Sequence, residues 1–211
     1  IPKPRLASSL QEALAQGPFD VALFALKSYD TQAALDSFAG SLGDLPPVLC
    51  LQNGVENELR LARALGEDRV IAGTVTSAIG RIAAGDIALE RLRGVGIAAG
   101  NPLSARLSQA FSAAGLNARL YPSAPAMKWS KMLTNLLANA TSAILDMTPA
   151  EIFTHPGIYR LEVKQLREAL RVMRAQKIAV VDLPGTPVRL LALALRSLPP
   201  GVSRPLLRNA V

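Results

Sequence analysis

A chain of 211 residues has room for one large domain or two small ones. Half of it is hydrophobic and 18% is charged, enough for a sizeable core, yet no apolar run reaches the roughly 18 residues of a membrane span. The net charge of +7 suits nucleic acid, phosphorylated small molecules or neither; the basic residues are scattered and only 4% of residues are aromatic, which argues against nucleic-acid binding. A single cysteine, Cys50, and a single histidine, His155, rule out a disulfide framework and argue against a metal site. They also leave no histidine-based triad without His155. A reducing, cytoplasmic setting fits this cysteine usage. The opening "IPKPRLASSL" has no signal-peptide core and no initiator Met, so a preceding segment is expected.

Residues 1–120 alternate strand-like and helix-like runs. Phe19–Leu26, "FDVALFAL", reads as a strand buried on both faces. "TQAALDSFAGSL" has helical spacing and ends near Gly43. "PPVLCLQ" is a second buried strand, and "VENELRLARAL" an amphipathic helix stopped at Gly66. "RVIAGTVTSAIGRI" and "GDIALERL" predict strands joined by a glycine turn, with an antiparallel edge around Gly80 and Gly85. "GVGIAAG" is a further strand, and "PLSARLSQAFSAAG" a helix with proline at its start and glycine after its end.

Helical patterns take over after "ARLYPSAPA". Lys128–Leu145 predicts one long helix. Thr148 and Pro149 mark the start of another. "GIYRLEVKQLREALRVMRAQKI" and "TPVRLLALALRSL" complete the set. The order predicts an α/β domain with a mainly parallel sheet over residues 1–123, followed by an all-α domain over 124–211.

"KWSKMLTNLLANATSAIL" carries the chemistry. On a helical wheel Lys131, Asn135, Asn139 and Ser142 fall within roughly 80° of one another. Trp129, Leu133, Leu136, Leu137, Ala140 and Ile144 take the other side. An ordinary solvated face would show the same spacing. Solvated faces usually use Glu, Lys, Arg or Gln, however, and each interior asparagine costs about half a kcal/mol relative to alanine. One ammonium, two amides and a hydroxyl suit a polar cleft that fixes a small ligand bearing hydroxyl and carboxylate groups.

"KMLTNLLANATSAI" resembles the signature helix of the ketopantoate reductase (2-dehydropantoate 2-reductase) family, including the tryptophan two residues before the lysine. "VALFALKSYDTQAAL", "PVLCLQNGVENELRL", "VIAGTVTSAIGRIAAGDI" and "GVSRPLLRNAV" are similar to further family segments, in order along the chain. The resemblance implies an incomplete Rossmann-type dinucleotide-binding domain, a helical substrate domain, and NADPH-dependent reduction of a 2-keto acid, ketopantoate, to pantoate for pantothenate and coenzyme A synthesis. It implies Lys131 as general acid, Asn135 and Asn139 on substrate oxygens, Ser203 near the substrate carboxylate, and Lys27 and Asn53 on the cofactor. No metal is implied. Arg204 departs from the Ser-Ser of some relatives, which weakens the case for Ser203.

The family's GxGxxG fingerprint is missing. "RGVGIAAG" does not replace it, because its spacing is one residue too long and its glycines lie in a strand. The family's later glutamate would fall after Val211. The chain therefore reads as an internal piece of a larger enzyme. Reduction of another 2-keto acid and a non-catalytic interaction module remain as alternatives. The C-terminal helices offer a face for a homodimer. Without the resemblance, Asn53-Gly54 reads more simply as a turn, and Lys27 equally as a strand-end lysine reaching water.

Overall fold

The computed structural model describes residues 5–197. Its elements in chain order are α1 (Leu10–Leu14), β1 (Ala22–Phe24), α2 (Thr31–Ser37), β2 (Val48–Cys50), α3 (Asn57–Leu65), β3 (Val70–Val75), β4 (Ala78–Ala83), β5 (Asp86–Arg91), β6 (Val95–Ala98), α4 (Ser104–Ala113), β7 (Ala118–Tyr121), α5 (Ala124–Leu136), α6 (Asn139–Leu145), α7 (Pro149–Thr154), α8 (Pro156–Ala175) and α9 (Val188–Ser197). The chain folds into two compact units. Of the described residues, one unit holds those up to Val75 together with Val95–Ala124; the other holds Thr76–Gly94 and those from Pro125 onward.

The first unit is an α/β layer structure. Its five-stranded sheet runs β1-β2-β3-β6-β7. β1, β2 and β3 are parallel, β6 runs antiparallel to β3, and β7 is parallel to β6. Alternating side chains send β2 into two cores. Val48 and Cys50 pack with Leu35, Leu61 and Leu65, from α2 and α3. Leu49 packs on the opposite side with Ile71, Val95 and Ile97, against Leu107 and Phe111 of α4. Helices on both faces explain why β2 reads as a continuous apolar run. Gly73 of β3 sits at a close approach, where a Cβ would stand 2.8 Å from Leu51 Cδ2 and 2.9 Å from Leu49 Cδ1.

Three expectations change. The Phe19–Leu26 run is not buried on both faces: its strand is three residues long, at the edge of the described sheet, and Leu23 is 55% exposed. Among the described residues only β2 pairs with it, so its inner face alone is packed. The antiparallel pair around Gly80 and Gly85 is not an edge of the main sheet. Among the described residues β4 and β5 pair only with each other, and they belong to the second unit; β6 is the antiparallel member of the main sheet. β7 falls where the sequence suggested only a boundary, because "NARLY" shows no apolar alternation.

The β4–β5 hairpin is closed at its base by side chains. Thr76 Oγ1 lies 3.0 Å from the Gly94 carbonyl oxygen and 2.9 Å from that of Pro184, and shares its single proton between them. Ser77 Oγ accepts from the N–H groups of Arg93 and Gly94, each at 3.0 Å. Thr148 and Glu151 start α7 with a capping box, as the Thr148-Pro149 pair suggested. α8 buries Tyr159, Val163, Leu166, Leu170 and Met173 along one stripe. No helix among the described residues is long and apolar enough to cross a membrane.

Candidate active site

The single long helix expected over Lys128–Leu145 is two helices. α5 ends at Leu136 and α6 begins at Asn139. Between them Ala138 is buried in the left-handed region, at φ +62°. A left-handed alanine costs roughly 1–2 kcal/mol, so something must hold it. Glu162 of α8 does so. One carboxyl oxygen accepts the Ala138 N–H at 2.8 Å, and the other accepts the Thr141 hydroxyl. Gln165 Nε2 donates to Glu162 at 2.9 Å and to the Leu136 carbonyl at 2.8 Å. Two backbone groups at the break, the Ala138 N–H and the Leu136 carbonyl, are thus met from α8. The helical wheel is followed only in part within α5, where Trp129 and Leu136 of the core side are half-buried, like Lys131 and Asn135 of the polar side, and it fails beyond the break. Leu133 is buried as expected, while Ile144, assigned to the core face, is 79% exposed.

Lys131 and Asn135 lie four residues apart on α5 and share one face, both half-buried. Asn139 is the first residue of α6 and exposed, so its direction is set by the break rather than by the α5 wheel. α5 is anchored by Ser130, whose hydroxyl accepts the Val181 N–H at 2.9 Å. Burial holds the Lys131 ammonium below lysine's ordinary range, and the positive charge of Arg93 adds to the effect. Arg93 is oriented by donating from Nη1 to the Thr76 carbonyl at 3.3 Å. Gly185, at φ +60°, leaves room for Arg93: a Cβ there would stand 2.9 Å from Arg93 Cβ.

Lys27 and Asn53 lie in the first unit. Each is exposed and follows the carboxyl end of its strand, β1 for Lys27 and β2 for Asn53. The two loops are tied by Gln52, which is buried and donates to the Leu26 carbonyl at 2.9 Å and to Thr31 Oγ1 at 3.0 Å. Asn57 Nδ2 donates to the Asn53 carbonyl at 2.7 Å, closing the turn around Gly54, whose φ of +109° favours glycine. Ser203 lies outside the described residues.

Sequence reasoning missed Gln52, Glu162 and Arg93. Glu162 left a signal, being an acidic residue within the apolar stripe of α8 between Tyr159 and Leu166. Gln52 and Arg93 left none, because their partners lie on other elements. Among the described residues no group of acidic, histidine or cysteine side chains could hold a metal ion.

Two family models match. Ketopantoate reductase PanE/ApbA covers residues 3–101, and Ketopantoate reductase PanE/ApbA C terminal covers residues 124–195. A 2-dehydropantoate 2-reductase of Halobacterium salinarum is 30% identical over 171 residues, which is 77% of this chain and 55% of the relative. The chain thus spans about half the length of that relative. A PanE/ApbA family ketopantoate reductase from Ralstonia eutropha has 30% identity and a TM-score of 0.72, over 87% of this chain and 58% of that structure. D-mandelate dehydrogenase, solved with NADH, shares the fold at 18% identity with a TM-score of 0.68, over 84% of this chain and 59% of its own. With two matched models lying in order along the α/β and helical regions, the chain belongs to the ketopantoate reductase family.

Proposed function

We propose that this chain belongs to an NADPH-dependent reductase that converts ketopantoate to pantoate in the cytoplasm. The observation that carries the reading is Lys131: a half-buried lysine, weakened as a base by burial and by Arg93, one turn from an amide on the same face of α5. Membership of the family supplies the reaction class.

The residues present fit one side of a dinucleotide. Lys27 and Asn53 are exposed at the carboxyl ends of adjacent parallel strands, where open α/β sheets take ligands. Gln52 fixes the two loops that carry them. When bound, the nicotinamide group supplies the reducing hydride. Lys27 would bind ribose or phosphate oxygens, and Asn53 would hydrogen-bond the same cofactor. Lys131 Nζ would donate a proton to the substrate's ketone oxygen and offset the negative charge that develops there. Its lowered proton affinity makes that transfer easier. Asn135 and Asn139 would hold the substrate's oxygens, and Ser203 its carboxylate. Once a bound substrate covers them, amides committed to a hydroxyl reject analogues lacking it, since they would then be unpaired.

Steady-state kinetics over a panel of 2-oxo acids, with NADPH and NADH in parallel, test the reading. Ketopantoate should give the highest kcat/KM, and NADPH should be the preferred cofactor. A higher kcat/KM with another 2-oxo acid would replace the substrate named here.

A further inference from the structure

The helical unit also carries a cavity between α8 and α9 that the proposed reductase chemistry leaves unused. Its volume is about 770 Å3, within the range of small-molecule sites. Arg167, Arg171 and Arg174 line it from α8, Lys177 from the turn that follows, and Arg196 from the last turn of α9. The spacing i, i+4, i+7 puts the three α8 arginines on one face. Among the described residues no aspartate or glutamate lines the cavity. Among the described residues no carboxylate pairs with Arg171, Arg174, Lys177 or Arg196.

Five cations around one cavity repel each other, and like charges at this spacing weaken a helix. Local structure fixes one of them there. Arg167 Nε donates to the Leu195 carbonyl at 2.7 Å, tying α8 to the last turn of α9 and fixing the guanidinium at the wall. Lys177 occupies a left-handed position, φ +57°, where glycine would be unstrained. Leu170 and Leu195, both buried, add apolar lining. Guanidinium groups bind phosphate oxygens through paired hydrogen bonds, and an ammonium adds a compact charge. So many cations around one concave space match several anionic charges better than one.

We propose that this cavity binds a small organic ligand carrying two or more phosphate groups. The proposal does not depend on the reductase reading. Inorganic triphosphate, titrated calorimetrically into the full chain at about 0.15 M salt, is the probe. Saturable single-site binding is expected. The double variant Arg171→Gln/Arg174→Gln should weaken it about tenfold or more. The control pair Arg60→Gln/Arg63→Gln, exposed on α3 and equal in charge change, should leave it unaltered. All four positions are exposed, and circular dichroism checks that each variant is folded. Absence of saturable binding would overturn the proposal. Equal weakening in both double variants would do the same, reducing the effect to overall charge. So would tight binding of a mixed-sequence oligonucleotide with none of triphosphate.

Discussion

Replacing Glu162 should separate a hydrogen-bonded junction from mere packing. Glu162 is 1% exposed and accepts from Ala138 N–H, Thr141 Oγ1 and Gln165 Nε2. In Glu162→Ala the Ala138 N–H and the Thr141 hydroxyl lose their acceptor, while Gln165 keeps the Leu136 carbonyl. Each orphaned donor costs about 1–3 kcal/mol. With some loss of packing, the variant should be destabilised by about 3–5 kcal/mol. Glu162→Gln keeps the shape. Its amide oxygen can accept from Ala138 and Gln165, and its NH2 can donate to the Thr141 hydroxyl, which then acts as acceptor. That change should cost only about 1 kcal/mol. Urea unfolding at neutral pH measures both values, and hydrogen exchange of the Ala138 amide locates the effect. Exchange should accelerate sharply in Glu162→Ala and little in Glu162→Gln. An alanine variant within about 1 kcal/mol of the parent, or a glutamine variant as unstable as the alanine one, would refute the reasoning.

Lys131 supplies a pH test. Its folded-state proton affinity lies below the ordinary lysine value of about 10.5 because of burial and Arg93. Between the lowered value and that ordinary one the unfolded chain holds more protons, so stability rises with pH across this window. Lys131→Met should therefore be stabilising at neutral pH, with a gain that shrinks as pH climbs through the window. A gain independent of pH in urea unfolding would contradict the assignment. Gly185→Ala should destabilise the chain by about 2–4 kcal/mol, because φ is +60° and the new methyl meets the Arg93 side chain and backbone; a neutral Tm would argue against that contact. Lys177→Gly should stabilise by about 1 kcal/mol. The α8 terminus is closed by Lys177 N–H to the Arg174 carbonyl at 3.1 Å and Ile178 N–H to the Met173 carbonyl at 2.8 Å, a geometry that favours glycine. A lowered Tm would refute this. Thr148→Ala should cost about 1 kcal/mol through loss of the α7 capping box, measured by thermal unfolding.

Much of this fold was legible because local signals and tertiary structure agree. The continuous apolar run of β2 reports burial between two helical layers, and Thr148-Pro149 reports a cap that forms as written. The run at β1 misled because apolarity records what a segment could bury, whereas pairing decides what is covered. The break at Ala138 was invisible for a different reason. Alanine is the best helix former, and nothing local disfavours a helix there. The cause lies on α8, where Glu162 accepts the Ala138 N–H and Gln165 donates to the Leu136 carbonyl, a contact 24 residues away for Ala138 and Glu162. The spacing of Lys131 and Asn135 was readable because both fall inside α5. The direction of Asn139 was not, because it lies beyond the break. Arg93 carries no motif and becomes relevant only through the hairpin base that orients it.

The most direct measurement is ketopantoate-dependent NADPH oxidation by the protein and by its Lys131→Ala variant, with circular dichroism confirming that both are folded. A lysine that donates the proton and offsets the developing charge predicts a kcat lower by roughly 100-fold or more in the variant. Equal turnover by the two proteins would remove Lys131 from the chemistry.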